Sequence, residues 1–270
     1  MHPISFPGLG LSFTINRVAF SIFGLQVYWY GILIAFGFIL ATFLAMRDSK
    51  KHGIQSNDIL DLLLFSLPAA IVGARLYFVI FSWWDYQNNW LSIFDIHQGG
   101  LAIYGGVIAA LIMAYCFAKK RKIGVLKLFD FTIPYLALGQ AIGRWGNFVN
   151  QEAHGVQTSL PWRMQIFDTD SMRYISVHPT FLYESLWDFS LFLFLIWFRK
   201  RKKLSGEVFT LYLAIYGLGR CFIEGLRTDS LYLGPIRISQ LVAGGCFIIF
   251  ITIFIVRRIK LKFASNPSDL

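Results

Sequence analysis

The amino-acid sequence predicts an all-α, polytopic integral membrane protein, and two observations carry this prediction. Hydrophobic residues make up 56% of the 270 residues and charged residues only 15%, whereas soluble domains hold about 45–50% apolar and about 25% charged residues. The apolar residues also form seven stretches, each about as long as a helix that crosses a bilayer. These stretches cover residues 22–46, 59–84, 100–118, 128–149, 179–198, 206–224 and 237–256.

The basic residues predict the orientation of the seven transmembrane helices. Seventeen of the 25 basic residues, including every Lys, fall into four clusters at residues 47–51, 119–127, 199–203 and 257–262. The clusters follow helices one, three, five and seven, whereas the loops after helices two, four and six contain no Lys. Lys and Arg accumulate in cytoplasmic loops. We therefore expect the N-terminus outside and the C-terminus in the cytoplasm.

We expect one transmembrane domain over residues 1–270 that carries a small outer head. The longest loop predicted to lie outside is residues 150–177, between helices four and five, and it is the candidate for this head. The first 20 residues are expected at the outer interface. The sequence indicates no cleavable signal peptide, because the first residues lack a basic segment and the first apolar stretch is too long.

The composition also limits the classes of function. The high hydrophobicity excludes a disordered chain. In a membrane protein the net charge of +10 reports orientation first, so it does not indicate nucleic-acid binding. The three Cys residues lie in apolar stretches without paired spacing, which is typical of small hydrophobic residues. The five His residues form no metal-ligand cluster, and we expect no metal site.

Arginines inside the predicted helices are the first candidates for a functional site, because ionisable groups are costly within a membrane. Arg144 and Arg220 each follow a Gly near the outer end of a helix, and Arg75 lies two residues after a Gly. Small residues permit close contact between helices, so these arginines are predicted to face the interior of the bundle. Arg227 and Arg237 are instead expected to extend towards the interface.

An anionic phospholipid is the ligand that these arginines predict. A guanidinium presents a planar fork that matches phosphate oxygens, and lipid headgroups supply the nearest phosphates at that depth. The alternative is a structural core of ion pairs, in which the arginines bind Glu184, Asp188 or Glu224. The residues alone leave both interpretations open.

The segment 143–155 is unusually polar for the end of an apolar helix. Asn147 and Asn150 lie three residues apart and therefore share one helical face. Gly146 and Gly155 indicate a close approach or a turn. The amides can donate to phosphate or glycerol oxygens, and the alternative is a helix end held by local hydrogen bonds.

The same segment resembles the signature of a known family, the bacterial prolipoprotein diacylglyceryl transferases. In this chain it reads Gly-Arg-Trp-Gly-Asn-Phe-Val-Asn-Gln-Glu-Ala-His-Gly. Residues 178–184 and 216–227 are similar to the second and third blocks of the family. Residues 28–31, 99–106 and 239–241 also fit its pattern. The resemblance covers nearly the whole chain, including seven helices with the N-terminus outside.

The resemblance implies a transferase that acts in the first step of bacterial lipoprotein maturation. Such an enzyme moves the diacylglyceryl group of phosphatidylglycerol to the thiol of a lipobox cysteine, forms a thioether and releases glycerol 1-phosphate. The implied partners are phosphatidylglycerol, the signal peptides of prolipoproteins and the bilayer, with no nucleic acid and no cofactor. The implied location is the bacterial plasma membrane, with a multi-pass chain whose active site faces the outer leaflet.

The resemblance also implies the site residues. Arg144 and Arg220 match the essential arginines of the family, and we assign catalytic roles to them and to Tyr104 and Glu152. A larger set is implied to bind phosphatidylglycerol, namely Tyr30, Arg144, Asn147, Gly155, His178, Tyr216, Arg220 and Glu224.

Tyr104 marks a departure from part of the family. Members from Gram-negative bacteria carry a His at this position, and that His has been proposed as the base. A phenol with a pKa near 10 is a poor base at pH 7 unless neighbouring Arg lowers that pKa. We therefore interpret Tyr104 as a residue that orients the substrate. The base stays open among Tyr104, Glu152, His154, His178 and water.

Three other classes of function compete with a transferase. An anion transporter or channel fits buried Arg and Gly-interrupted helices, although the polar groups gather in one leaflet and not near the midplane. An intramembrane protease is disfavoured, because the sequence lacks a Gly-x-Ser-x-Gly elbow and a His-Glu-x-x-His helix. A scaffold protein with a structural Arg core is the third alternative.

Overall fold

The protein is mostly helical, as the sequence predicts. The structure is a computed structural model that describes residues 3–87, 89–95, 99–168, 171–230 and 232–265. Its α-helices are α1 (Trp29–Ser49), α2 (Ser56–Phe81), α3 (Trp83–Tyr86), α4 (Ile103–Lys120), α5 (Val125–Asn150), α6 (Thr180–Arg199), α7 (Glu207–Glu224) and α8 (Ile238–Ser265). The second to sixth predicted stretches agree with α2, α4, α5, α6 and α7 to within three residues at each end.

Short strands and 3₁₀ turns accompany the helices, which the all-α prediction omits. The strands are β1 (Ile4–Phe6), β2 (Leu11–Phe13), β3 (Val18–Ile22), β4 (Leu25–Tyr28), β5 (Met164–Asp168), β6 (Arg173–Val177), β7 (Tyr232–Leu233) and β8 (Ile236–Arg237). The 3₁₀ turns are Pro7–Leu9, Lys50–His52 and Trp90–Phe94.

Six helices of the described chain are long and apolar enough to cross a membrane. They are α2, α4, α5, α6, α8 and α1 with the 3₁₀ turn that follows it. Helix α7 is not among them, since its 18 residues include three charged ones, Glu207, Arg220 and Glu224. These helices indicate a polytopic membrane protein. The seventh span and the orientation stay predictions.

The first helix begins at Trp29, so the predicted start near residue 22 is wrong. Strands β3 and β4 form a hairpin in place of the first turns of the helix, with Phe23 and Gly24 at φ of 49° and 82° in its turn. The Trp29 amide donates to the Arg17 carbonyl at 3.1 Å and closes the base of the hairpin. Hydropathy could not separate the two elements, because residues 18–46 form one uncharged run.

The chain folds as two compact units, and the first contains the described parts of residues 1–41 and 132–270. Its antiparallel sheet has the strand order β2-β1-β5-β6. The N-terminal strands therefore pair with the loop between α5 and α6, which the sequence proposed as the whole of the head. Buried Ile4, Met164, Ile166 and Val177 form the core of the sheet and pack with Phe148 of α5.

Helices α7 and α8 of this unit pack closely at a glycine. A Cβ on Gly217 would lie 2.8 Å from the carbonyl oxygen of Ala243. At the start of α7, buried Glu207 accepts hydrogen bonds from Arg258 Nε at 2.5 Å and Nη2 at 2.8 Å. It also accepts the backbone N–H of Lys203 at 2.7 Å. The pair of Glu207 and Arg258 fixes the basic end of α8 to the start of α7.

The second unit comprises residues 42–131, and helices α2 and α4 form its core. They approach closely at Gly73 and Gly105, where a Cβ on either glycine would overlap the other helix. At one end of this pair, Arg121 binds Asp58 at 3.6 Å and also binds Asp61. Arg121 is half-exposed there.

Arg75 holds a loop in this unit and is buried. The five N–H groups of its guanidinium donate to five backbone carbonyls at 2.8–3.0 Å, those of Ser92, Ile93, Asp95, Gly99 and Gly100. With these donors occupied, Arg75 has a structural role. The sequence made Arg75 a candidate for the functional site, and the structure corrects this assignment.

Replacing Arg75 by Lys should loosen this loop, because a single ammonium cannot reproduce the fork of five donors. Carbonyls left without their donors should lower the free energy of unfolding by about 1–3 kcal/mol. Thermal unfolding in detergent and hydrogen exchange of Trp90–Asp95 measure the effect. Arg121→Lys is the matched control, since an exposed pair contributes about 0–1 kcal/mol. Equal changes for the two variants would contradict the role given to Arg75.

Candidate active site

Three helices of the first unit carry charged residues that lie on the same side of this unit. Arg144 lies near the C-terminus of α5, Glu184 near the N-terminus of α6 and Arg220 near the C-terminus of α7. Because the chain reverses direction between successive helices, these positions meet on one side of the unit. The ionic contacts between them show that they do.

Glu184 lies at the centre of the cluster, with only 5% of its surface exposed. Its Oε2 accepts Nε of Arg144 at 2.7 Å. Its Oε1 accepts Nη1 of Arg220 at 3.0 Å and Nη1 of Arg227 at 3.1 Å. One carboxylate thus binds three guanidiniums, which belong to α5, α7 and the loop after α7.

Two further carboxylates complete the cluster. Arg220 Nη2 binds Glu224 Oε2 at 2.6 Å, and Arg227 binds Asp229 through Nε at 2.9 Å and Nη2 at 2.5 Å. Burial alone would raise the pKa of the Asp229 carboxyl, but the hydrogen bonds and charge of Arg227 outweigh it and hold that pKa below its ordinary value. Three basic side chains therefore face three carboxylates in this part of the chain.

The cluster is paired but still accessible. The pair between Arg144 and Glu184 uses Nε, so the two terminal nitrogens of Arg144 are outside that pair. The side chains of Arg144 and Arg220 each keep 23% of their surface exposed. Buried ion pairs cost desolvation energy and add little net stability. The pairing that the sequence analysis left open is present, and it leaves donors on Arg144 for a ligand.

Asp188 lies one helical turn after Glu184 and is only 2% exposed. Its Oδ2 has no hydrogen-bond partner in the part of the chain that the structure describes. Asp188 therefore places a further carboxylate on the face of α6 that carries Glu184. The sequence indicates Asp188 only as a possible partner for an arginine.

The end of α5 brings together two of the predicted residues. Asn147 donates through Nδ2 to Glu152 Oε1 at 2.9 Å, and the Glu152 amide donates to the Asn147 carbonyl at 3.1 Å. Gln151 and Ala153 adopt φ of 55° and 54°, which ends the helix. These bonds hold the Glu152 carboxylate against the last turn of α5.

Gly155 is the point where three segments meet. Its amide donates to the carbonyl of His178 at 3.0 Å, and the next amide, of Val156, donates to the carbonyl of Leu226 at 2.7 Å. A Cβ on Gly155 would lie 2.7 Å from the Cβ of His178, so a larger residue would force these segments apart. Gly155 thereby sets the position of Arg227, which follows Leu226.

The remaining predicted residues of this unit make other contacts. Tyr30 of α1 packs its ring against the backbone at Gly146. Tyr216 stacks on Tyr212, with ring centroids 5.5 Å apart and planes within 14°. His178 Nδ1 lies 3.2 Å from the hydroxyl of Tyr183, within hydrogen-bond distance.

Tyr104 belongs to the second unit, in the first turn of α4, and half of its surface is exposed. Its assignment to the site stays a prediction. In the described ranges of the chain, no group of three or more His, Cys, Asp or Glu side chains is arranged to hold a metal ion.

Three members of the cluster, Arg227, Glu184 and Asp229, were not identified as site residues from the sequence. Arg227 was expected to extend towards the interface, but it is 9% exposed and binds Glu184. Arg237, with the same expectation, donates to the carbonyl of Glu224 and to the hydroxyl of Tyr232. Glu184 was counted only as a possible partner. The spacing of Glu224 and Arg227, three residues apart at a helix end, was the available signal.

Comparison with known proteins identifies the family of the chain. The family model for prolipoprotein diacylglyceryl transferase matches residues 17–256. A relative from Finegoldia magna, named phosphatidylglycerol–prolipoprotein diacylglyceryl transferase, is 51% identical over 94% of this chain and 99% of its own length. Relatives of the same name from Clostridioides difficile and Bacillus cereus are each 47% identical, over 84% and 90% of this chain and 90% and 93% of their own. The chain belongs to the prolipoprotein diacylglyceryl transferase family.

Proposed function

We propose that the protein transfers the diacylglyceryl group of phosphatidylglycerol to the lipobox cysteine of prolipoproteins, the first step of lipoprotein maturation. Its family and the names of its relatives support this activity. The observation that carries it is the cluster of Arg144, Arg220 and Arg227 around Glu184. A lipid phosphate entering apolar helices requires such donors.

The reaction is a nucleophilic substitution at the glycerol carbon that carries the phosphate. The cysteine sulfur forms a bond to this carbon as the bond from carbon to the bridging oxygen breaks. The electron pair stays on that oxygen, and glycerol 1-phosphate leaves. A thiol with a pKa near 8.5 reacts as the thiolate, so a base must take its proton. That base stays open among the five candidates named above.

Arg144 and Arg220 bind the phosphate and stabilise the charge that develops on its bridging oxygen. Preorganised donors aimed at developing charge supply a large part of many rate enhancements. Arg144 offers its two terminal nitrogens, since its Nε is bound to Glu184. Glu224 orients Arg220 from the same helix, four residues further on. No cofactor takes part in this mechanism.

The other assigned residues frame the lipid headgroup. Asn147 and Glu152, joined by their hydrogen bond, provide an amide and a carboxylate for its hydroxyls. Tyr30 and Tyr216 contribute phenol groups from α1 and α7. Gly155 fixes the loop that carries His178, which donates to the phosphate. Each role follows from the family pattern and from the place of the residue in the first unit.

An apolar groove of about 500 Å³ supports the handling of a lipid. Its lining includes Trp29 and Leu33 of α1 and Trp145, Phe148 and Val149 of α5. Trp145 follows Arg144 directly, so groove and cluster share the last turns of α5. An acyl chain in the groove would keep its headgroup near the arginines.

We place the protein in the bacterial plasma membrane with seven spans, the N-terminus outside and the cluster in the outer leaflet. The ends of α5 and α6 opposite the cluster carry basic residues, Lys127 and Arg199. Basic residues mark the cytoplasmic side. In this orientation the cluster meets the lipobox of a precursor whose signal peptide lies in the bilayer.

The direct test uses purified protein in phosphatidylglycerol vesicles with a lipobox peptide, which is then weighed by mass spectrometry. We expect a gain of one diacylglyceryl group on the cysteine, and no gain with a Cys→Ser peptide. Folded protein that adds no mass with several anionic donors would refute the transferase and favour anion transport, which flux assays would then measure.

Arg144→Lys and Arg220→Lys should each lower kcat/KM for phosphatidylglycerol by about 10²-fold or more, because an ammonium cannot form the bidentate contact. Steady-state transfer to the peptide measures the loss. Arg173→Lys, at an exposed position on β6, is the control and should stay near wild type. Near-normal turnover in both site variants would rule out bidentate binding of the phosphate.

Tyr104→Phe should keep measurable turnover if Tyr104 positions the substrate and is not the obligatory base. The expected change is a modest fall in kcat/KM, about tenfold, because one hydroxyl contact is lost. Rates of transfer and lipid affinity are measured together. Abolished turnover with unchanged lipid affinity would instead make Tyr104 the base.

A further inference from the structure

We propose that Glu184 is the positioning residue of the phosphate site, which holds Arg144 in the orientation that binds the lipid. This inference rests on the proposed function. Glu184 makes no contact with the reacting atoms in this account, and it acts through the arginines that it binds.

The contacts of Glu184 join three segments of the chain to α6. Both carboxylate oxygens are used, with Nε of Arg144 on Oε2 and the Nη1 atoms of Arg220 and Arg227 on Oε1, at 2.7–3.1 Å. Bonds between ionised groups are shorter and stronger than neutral ones. Arg220 and Arg227 each have a second acidic partner, Glu224 and Asp229. Glu184 is the acidic partner that the described ion pairs give to Arg144.

The nitrogen that Glu184 binds decides what Arg144 can do. A carboxylate on Nε fixes the side chain near its middle and leaves both terminal nitrogens for a phosphate. An unbound Arg side chain rotates about several bonds and loses this freedom when it is ordered. If Glu184 orders Arg144 before the lipid binds, the entropic cost of ordering this side chain is not added to the barrier of the reaction.

A positioning role predicts that loss of the Glu184 charge changes lipid binding and turnover in opposite directions. A residue that only supports the fold would not have this effect. The ion pairs of the cluster join three basic and three acidic side chains, and Asp188 adds a further carboxylate beside them. Removing the charge of Glu184 makes the cluster more positive by one charge, which attracts an anionic lipid. The same change releases Arg144, so the bound lipid is held less well for reaction. A purely structural residue would weaken binding, turnover and stability together.

The test measures kcat and KM for phosphatidylglycerol in peptide transfer by Glu184→Gln, with thermal unfolding of the same sample. We expect kcat to fall by about 10²-fold, the loss typical of a small displacement in a site. KM should be unchanged or lower. Glu184→Asp keeps the charge but is one methylene shorter, so its kcat should lie between those of Glu184→Gln and wild type.

Glu207→Gln is the matched control, because it also removes a buried carboxylate that pairs with an Arg. It should lower the unfolding temperature and leave kcat and KM near the wild-type values. If Glu184→Gln does not fold, Glu184→Asp carries the test through a lower kcat at unchanged KM.

A kcat within threefold of wild type in the folded Glu184 variant would overturn the inference, as would a rise in KM at constant kcat. Both results leave the proposed function intact when the wild-type protein, assayed beside the variant, transfers the diacylglyceryl group. Wild-type protein that adds no diacylglyceryl group would refute the proposed function itself.

Discussion

A single buried carboxylate, that of Glu184, binds three arginines from two apolar helices and the loop after α7, and the rest of the first unit is arranged to permit it. Charges removed from water must be paired and hydrogen-bonded. The three arginines therefore have to come within about 3 Å of the same two oxygens. This requirement constrains the positions of four segments, namely the ends of α5, α6 and α7 and the loop after α7.

Glycines make the required approach possible. Gly155 lets the loop after α5 lie against His178 and Leu226, which brings Arg227 inwards. Gly219 precedes Arg220, and a Cβ there would overlap the indole of Trp187. That indole donates to the carbonyl of Ile215 at 3.1 Å. Small residues thus set how closely helices and loops pack where the charges meet.

The sequence predicted the helices well because bilayer-length apolar stretches are a strong signal. It missed the β3–β4 hairpin, since hydropathy does not distinguish an apolar hairpin from the start of a helix. The start of α7 was also predicted correctly. The prediction did not distinguish α7 from the other helices, although its three charged residues keep it out of the six candidate spans.

The arginines show what sequence reasoning could and could not supply for the site. Arg144 and Arg220 stood out because charge is rare inside apolar helices. Arg75 has the same signal, yet its donors bind a loop. Arg227 lacks the signal and joins the cluster. The central place of Glu184 depends on contacts between distant segments, which spacing along the chain does not encode.

The central claim is that the cluster around Glu184 binds the phosphate of the lipid. An experimental structure of the protein in phosphatidylglycerol nanodiscs would test it most directly. The account predicts a headgroup phosphate within hydrogen-bond distance of a terminal nitrogen of Arg144 and of Arg220, with Arg144 Nε still on Glu184. A bound lipid whose phosphate lies elsewhere, with the cluster unchanged, would contradict it.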